Sequence, residues 1–329
     1  MSRHSVSFLR WLSIFCFASL LAMTSFGQTP DYPSRPIKMV VTFPPGGSSD
    51  AIIRILSTRL NEKLGQPLVI DNRPGAGGNI GLSVVAKAAP DGYVLGVGAA
   101  GGLTANSSLY PQMPFEVAKD FAPITMLASI PFVLVGHPSV PAENIQQVIA
   151  LARSQPGKVS IGHGGNGTAM HLSTALFTQM ADIKLIEVPY RGSGPAAMDT
   201  LSGQIQLSIT DLAAALPHIK AGKLKAFAVT SPKRLSNLPE VPTLSESGLT
   251  GYDSTGWFGL VAPAGTSPQI VQRLNAEFTA ALNDEQIKSQ MRQNGMEPIA
   301  TSIEGLDAYI KSETQKWAKV IKQANIKLN

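Results

Sequence analysis

Cysteine is all but missing: among 329 residues there is one, Cys16, inside an apolar stretch near the N-terminus. A disulfide-stapled scaffold is excluded, and so is a metal site built on thiolates. Charge of one sign is also scarce. The 27 basic and 22 acidic residues nearly balance, no long Lys/Arg run occurs, and few aromatics lie among the basic residues. That composition argues against a nucleic-acid surface. The nucleophile elbow and the phosphate loop are missing too. No G-x-S-x-G elbow exists, because Ser193 in Arg191-Gly192-Ser193-Gly194-Pro195 has arginine two places before it. No phosphate loop exists either, since Gly157-Lys158 precedes Val159 and Gly222-Lys223 precedes Leu224. Past the N-terminal stretch the histidines are His137, His163, His171 and His218, and none forms H-x-x-x-H. No metal and no cofactor are expected.

What is present begins with a leader. Arg3 and Arg10 precede and flank an uncharged apolar run from Trp11 to Met23, and Ser25 and Gly27 supply small residues after it. This predicts a secretory signal peptide over 1–27, cut near Gly27, with a core too short for a comfortable membrane span. Ile14 and Phe15 stand before Cys16 where lipoprotein processing wants small residues, so acylation is not expected. The destination that suits a chain without disulfides is a bacterial periplasm.

The remaining chain is too long for one ordinary core and points to two lobes. Its pattern is strand, glycine-rich turn, helix, repeated. Apolar β-rich runs are expected at 37–43, 67–71, 93–98, 121–128, 131–137, 159–162, 184–188, 204–210, 224–230 and 256–262. Helices are expected at 48–63, 79–88, 143–154, 168–181 and up to Leu201, with three long amphipathic ones at 267–282, 284–294 and 303–323. Ser48 or Ser49 is expected to cap the first. Continuous apolar strands alternating with helices predict parallel sheet covered on both faces. The helical C-terminal region, lacking strands of its own, is expected to pack back on the first lobe. The chain then crosses between lobes twice: lobe I comprises 28–129 and 255–329, and lobe II 130–254.

Four glycine-rich turns end apolar strands, at 44–49, 74–78, 162–168 and 190–194. Each can merely permit a tight connection. Together, with backbone N–H groups turned outward and helix N-termini behind them, they read as an anion trap at the strands' carboxyl ends. Gly162-His163-Gly164-Gly165-Asn166-Gly167 also fits G-x-G-x-x-G, with Glu187 where a ribose-binding acid would stand. Export argues against a dinucleotide. Asp50 and Asp211 are the acids to weigh: each can cap a helix or face a ligand, Asp50 through a ligand ammonium or hydroxyl. Arg73 and Arg191 adjoin turns and can pair with a carboxylate or stay solvated. His163 and His171 flank one turn. The rival from another class is an exported hydrolase or lyase using Asp211 and His171.

Ordered motifs sharpen this reading: Tyr32-Pro33-Ser34-Arg35-Pro36-Ile37, Phe43-Pro44-Pro45-Gly46-Gly47-Ser48-Ser49-Asp50, Asp71-Asn72-Arg73-Pro74-Gly75-Ala76-Gly77-Gly78, Pro90-Asp91-Gly92-Tyr93, Val188-Pro189-Tyr190-Arg191-Gly192-Ser193-Gly194-Pro195 and Leu238-Pro239-Glu240-Val241-Pro242-Thr243. Their succession resembles the Bug (TctC-like) family of periplasmic solute-binding receptors of tripartite tricarboxylate transporters. The resemblance implies an α/β periplasmic binding protein, a type II-like Venus flytrap with two interdomain crossovers. It implies a monomer that is no enzyme, holds a small carboxylate and serves the membrane components of such a transporter. By position the first-lobe contacts would be Phe43, Gly47, Ser48, Ser49 and Asp50, with a loop carrying Gly102, Leu103, Thr104 and Asn106. The second lobe would offer Gly164, Asn166, Gly167, Thr168, His171, Tyr190, Arg191, Gly192 and Asp211. Arg191 stands where the family motif often has lysine.

Overall fold

The computed structural model describes residues 32–323 together with 326 and 328, so the expected leader and its cleavage point lie outside the described residues. Strand β1 (Ile37–Val41) is buried except at Lys38 and stops at Pro44 and Pro45. Helix α1 (Ser48–Leu64) follows, and Gly47 takes its N-cap position without any side-chain cap. Neither serine caps the helix. Both lie in its first turn, and the Ser48 hydroxyl reaches a partner far along the chain, Asp211. Strand β2 (Leu68–Asn72), helix α2 (Asn79–Ala86) and strand β3 (Val94–Ala99) complete a parallel unit centred on β1.

Strands β4 (Phe121–Ile130) and β5 (Phe132–Gly136) are separated by Pro131 alone, yet they belong to different sheets. The second sheet is built from β5 onward. Its elements are α3 (Ile145–Ser154), β6 (Ser160–His163), α4 (Ala169–Ala181), β7 (Ile186–Pro189), α5 (Ser193–Leu201), β8 (Leu207–Asp211), α6 (Leu212–Lys220) and β9 (Lys225–Val229). The chain returns through β10 (Gly256–Pro263) and finishes with α7 (Pro268–Leu282), α8 (Glu285–Gln293), the short β11 (Glu297–Pro298) and α9 (Ile303–Gln323).

The six-stranded sheet has the order β11-β4-β10-β3-β1-β2 and the five-stranded sheet β7-β6-β8-β5-β9. Neither is purely parallel. β10 runs antiparallel to both β3 and β4, and β5 antiparallel to β8 and β9. An apolar run reports that both faces of a strand are buried, not its direction, and the strands that enter a sheet from the other lobe come in reversed. The C-terminal helices pack on the first sheet. Leu306 and Ile310 share a core with Val40, Leu82 and Trp257, each fully buried large side chain contributing about 1.5–3 kcal/mol. The Asn275 amide donates to the carbonyls of Ile124 and Thr301 at 2.7 and 3.0 Å, tying α7 to β4. The two crossings lie side by side: a Cβ on Gly256 would strike the Phe132 ring. Among the described residues no helix is long and apolar enough to cross a membrane.

Candidate functional site

The four glycine-rich turns converge. An inner cavity of about 130 Å³ is lined by Phe43, Gly47, Ser48 and Ser49 from the β1–α1 turn, by Thr168, and by Arg191, Gly192, Ser193 and Asp211. An outer cavity of about 530 Å³ adds residues 74–78, Gly164, Asn166 and Tyr190. Phe43, Pro44, Thr168 and Arg191 line both, so the two form one cleft between the lobes. Three helices, α1, α4 and α5, present their first residues to its inner part. The first N–H groups of a helix have no partner within it, and the macrodipole makes that end an attractive place for an anion.

Asp211 lies at the junction of the lobes. It is 5% exposed and its two candidate roles coincide. One oxygen accepts from Ala214 N–H at 2.9 Å and caps α6. The other accepts the Ser48 hydroxyl at 2.6 Å and the Ser193 hydroxyl at 2.7 Å. Ser48 belongs to the first lobe and Ser193 to the second, so this carboxylate bridges the cleft. Ser49, in contrast, lines the inner cavity but has a buried hydroxyl with no partner.

Asp50 does not reach the cleft. Its carboxylate accepts Gly46 N–H at 3.2 Å, Arg54 at 2.8 and 3.2 Å and Asn72 at 3.4 Å. Burial pushes its pKa up, but these bonds outweigh it and hold the carboxyl below its ordinary 3.8. It fastens the turn that carries Gly47 and does not line either cavity. Arg73 is occupied by Asp71 at 2.8 Å. Arg191 is exposed at the cleft mouth and has no ion pair among the described residues.

The segment expected to be a binding loop at Gly102, Leu103, Thr104 and Asn106 is helical: Gly101–Ala105 winds as a π-turn and Asn106–Leu109 continues it. Leu103 joins the first-lobe core, the Thr104 hydroxyl donates to Ala100 carbonyl, and Asn106 donates to Asn79 at 2.8 Å. None lines the cleft; Ala99 and Ala100 do. Leu103 is apolar and turns inward, which winds the segment and carries its neighbours away. Its edge meets the other lobe instead. A Cβ on Gly101 would collide with the Gly167 carbonyl, and Tyr110 donates to the Asn166 carbonyl at 3.2 Å.

His171 and His163 stand behind the cleft. Gly165 N–H donates to His163 Nδ1 at 3.2 Å, and Gly167 N–H to His171 Nδ1 at 3.3 Å. Both Nε2 atoms face Glu187 at 3.7 Å, and the three groups are close enough to frame a cation. The donor chemistry does not suit one. An imidazole whose Nδ1 accepts a hydrogen bond carries its own hydrogen on Nε2, the atom that would have to bind the metal, whereas metal-bound histidines donate from the other nitrogen. Burial, and for His163 also the neighbouring His171, lowers these pKa values to about 3 and about 4. Burial raises that of Glu187. The pair therefore acts as a neutral brace under the glycine turn.

Sequence reasoning missed the cleft's apolar wall: Ile130, Phe132, Met170, Trp257 and Phe258. The one available signal was the aromatic pair inside the glycine-bounded run 256–259, at a crossover.

Two α/β lobes joined by two crossings, closing over a cleft lined with strand-end turns, define a periplasmic-type solute-binding protein. Residues 52–326 match the family model described as tripartite tricarboxylate transporter family receptor. The chain belongs to that family. It is 37% identical to protein BugT of Bordetella pertussis over 90% of this chain and 91% of that one. Among solved structures, Rpa4515 of R. palustris with adipate superposes with a TM-score of 0.88 at 36% identity, covering 91% of this chain and all of that one. MatC from Rhodopseudomonas palustris with bound malate gives 0.83 at 30% identity, over 88% and 100%.

Proposed function

We propose that this receptor captures a small carboxylate between its lobes and hands it to the membrane components of a tripartite transporter, without chemical turnover. The observation that carries the reading is the convergence of glycine turns and helix N-termini from both lobes on one cleft, with Arg191 as the only Lys or Arg among the described residues that line it. The adipate and malate held by the two related structures support the ligand class. Gly47, Ser48, Ser49, Thr168, Gly192 and Arg191 are assigned to the ligand, with Phe43, Gly164, Asn166 and Tyr190 shaping the cleft. Lobe I comprises 28–129 and 255–329, lobe II 130–254, and closure is a rotation about Pro131 and the Ser254–Thr255 region. A ligand that satisfies amides of both lobes favours the closed state by its differential affinity for it. The leader expected over 1–27 and the family's setting support a periplasmic location, where the receptor is proposed to act as a monomer.

The hydrolase reading has little support. His171 is sealed behind the turn, and the Ser48 and Ser193 hydroxyls point at a carboxylate, with no imidazole placed to take their protons. Titration calorimetry on refolded, ligand-stripped protein should find tight binding of at least one acid in a carboxylate panel, with the acid recovered unchanged by NMR. No binding across the panel would sink the carboxylate assignment; consumption of the ligand would make the protein an enzyme.

A further inference from the structure

We infer that Leu172, on helix α4, is a positioning residue: it plugs an apolar seam between the lobes, outside the cleft, that holds the closed state and so scales the affinity for every ligand together. The inference deepens the capture reading, and rests on it only where a ligand is used. Helix α4 belongs to the second lobe, where it packs on β6 and β8. Leu172 nevertheless has no exposed surface, and the apolar side chains clustered with it come from the first lobe. They are Ala105 and Leu109 from the segment 101–109, and Trp317 and Ile321 from α9. Ala169 stands three residues earlier, on the same face of the helix. It packs against the first-lobe core that holds Leu103 and Leu306. The backbone contacts on this side agree. Tyr110 donates to the Asn166 carbonyl. A Cβ on Gly77 would lie 2.9 Å from that same oxygen, and one on Gly101 would strike the Gly167 carbonyl. The two lobes touch here without any side chain of the ligand cavity between them: neither Leu172 nor its four partners line the inner or the outer cavity. The seam therefore forms without a ligand and does not tell one ligand from another. Turning α4 away from the first lobe bares Leu172, and returning apolar surface to water disfavours that state. A ligand that needs the closed state binds with an affinity scaled by the closed fraction. Cleft residues change affinities ligand by ligand, whereas Leu172 changes them in step.

The test pairs small-angle scattering with calorimetry on refolded, ligand-stripped receptor, using succinate, malate, citrate, adipate, glutamate and benzoate as probes. The variants are Leu172→Ala, Leu172→Met and, from the opposite side of the seam, Leu109→Ala. Without ligand, both alanine variants should show a larger radius of gyration than the wild type. Leu172→Met should match the wild type, because a side chain of similar volume refills the seam. Every probe that binds the wild type should bind the alanine variants more weakly, by one common factor of about five or more. Leu172→Met should restore the wild-type affinity. A loss of stability alone lowers the denaturation midpoint and moves neither readout. An unchanged radius in both alanine variants overturns the inference. So does an unchanged affinity, or a loss that differs between probes by more than about twofold, which would place the effect of Leu172 in the cleft. If no probe binds the wild type, the capture reading fails on its own, and the ligand-free radius still decides the seam. Leu109→Ala carries the comparison where Leu172→Ala folds poorly.

Discussion

In the first lobe the turn that faces the cleft is fastened from behind by an ion pair open to water at one end; in the second the corresponding turn is fastened by two neutral imidazoles sealed from water. Asp50 is 4% exposed by side chain while its partner Arg54 is 60% exposed. His163 and His171 are 1% and 4% exposed, and the turn's own amides are their partners. Both arrangements hold a glycine-rich backbone by accepting from its amides, Gly46 in the first lobe and Gly165 and Gly167 in the second. They differ in what acid does to them. The two histidines protonate near 6.5 when unfolded but only at about 4 and about 3 when folded. Between those values the unfolded chain binds more protons, so their contribution is complete above pH 6.5 and drains away as pH falls toward 4. Asp50, depressed below 3.8, keeps its contribution above that value and loses it only below. Glu187 opposes the histidines: raised above 4.5 by burial, it contributes most below 4.5 and less as pH rises through its folded value.

The largest effect is expected from breaking the first fastening. Asp50→Ala leaves the Gly46 amide without its acceptor and Arg54 without its ion-pair partner, while Asn72 keeps the Phe43 carbonyl, and should cost about 1–3 kcal/mol, seen as a lowered midpoint in denaturant. If Asp50 is structural, affinity for amino acids and for their deaminated analogues should fall by equal factors; a selective loss for amino acids would return it to the binding site. His171→Ala should cost about 1–3 kcal/mol by orphaning the Gly167 amide. It should also flatten the decline in wild-type stability between pH 6.5 and 4, and an unchanged slope would place the acid response elsewhere. Gly101→Ala sharpens the comparison where the lobes meet. The added methyl opposes the Gly167 carbonyl, so binding should weaken about tenfold, with small-angle scattering showing less contraction on ligand addition. The smallest change is Arg191→Lys, which keeps the charge at the second-lobe mouth. A few-fold loss of affinity is expected from the lost planar fork, and no loss would show that charge alone matters there.

Much of this was legible in the chain. The alternation of apolar runs with glycine turns marks the two-lobed α/β fold and all four turns that meet in the cleft. Side-chain direction was less legible. Asp50 and Asp211 have the same local signature, an acid near a helix start after a strand. Only the pairing of Asp50 with Arg54 and the approach of Ser48 to Asp211 tell them apart. The segment at Leu103 misled because the family resemblance implies a loop there, whereas Leu103 is buried in the first-lobe core and the segment is helical. Phe132 and Trp257 sit on strands buried throughout, where no alternation shows which side faces a ligand. The brace of His163, His171 and Glu187 joins residues far enough apart in sequence that only the parallel pairing of β6 with β7 brings them together.

The position of β10 sets the order in which the molecule can be made. It lies between β3 and β4 in the first sheet, although more than a hundred residues separate it from either along the chain. A chain emerging N-terminus first therefore carries an interrupted sheet, with the facing edges of β3 and β4 unpaired, until residue 263 has appeared. The second sheet, drawn wholly from residues 132–229, is complete before then. Maturation accordingly runs inside out: the inserted lobe can fold as a unit, and the lobe that was begun first is finished last.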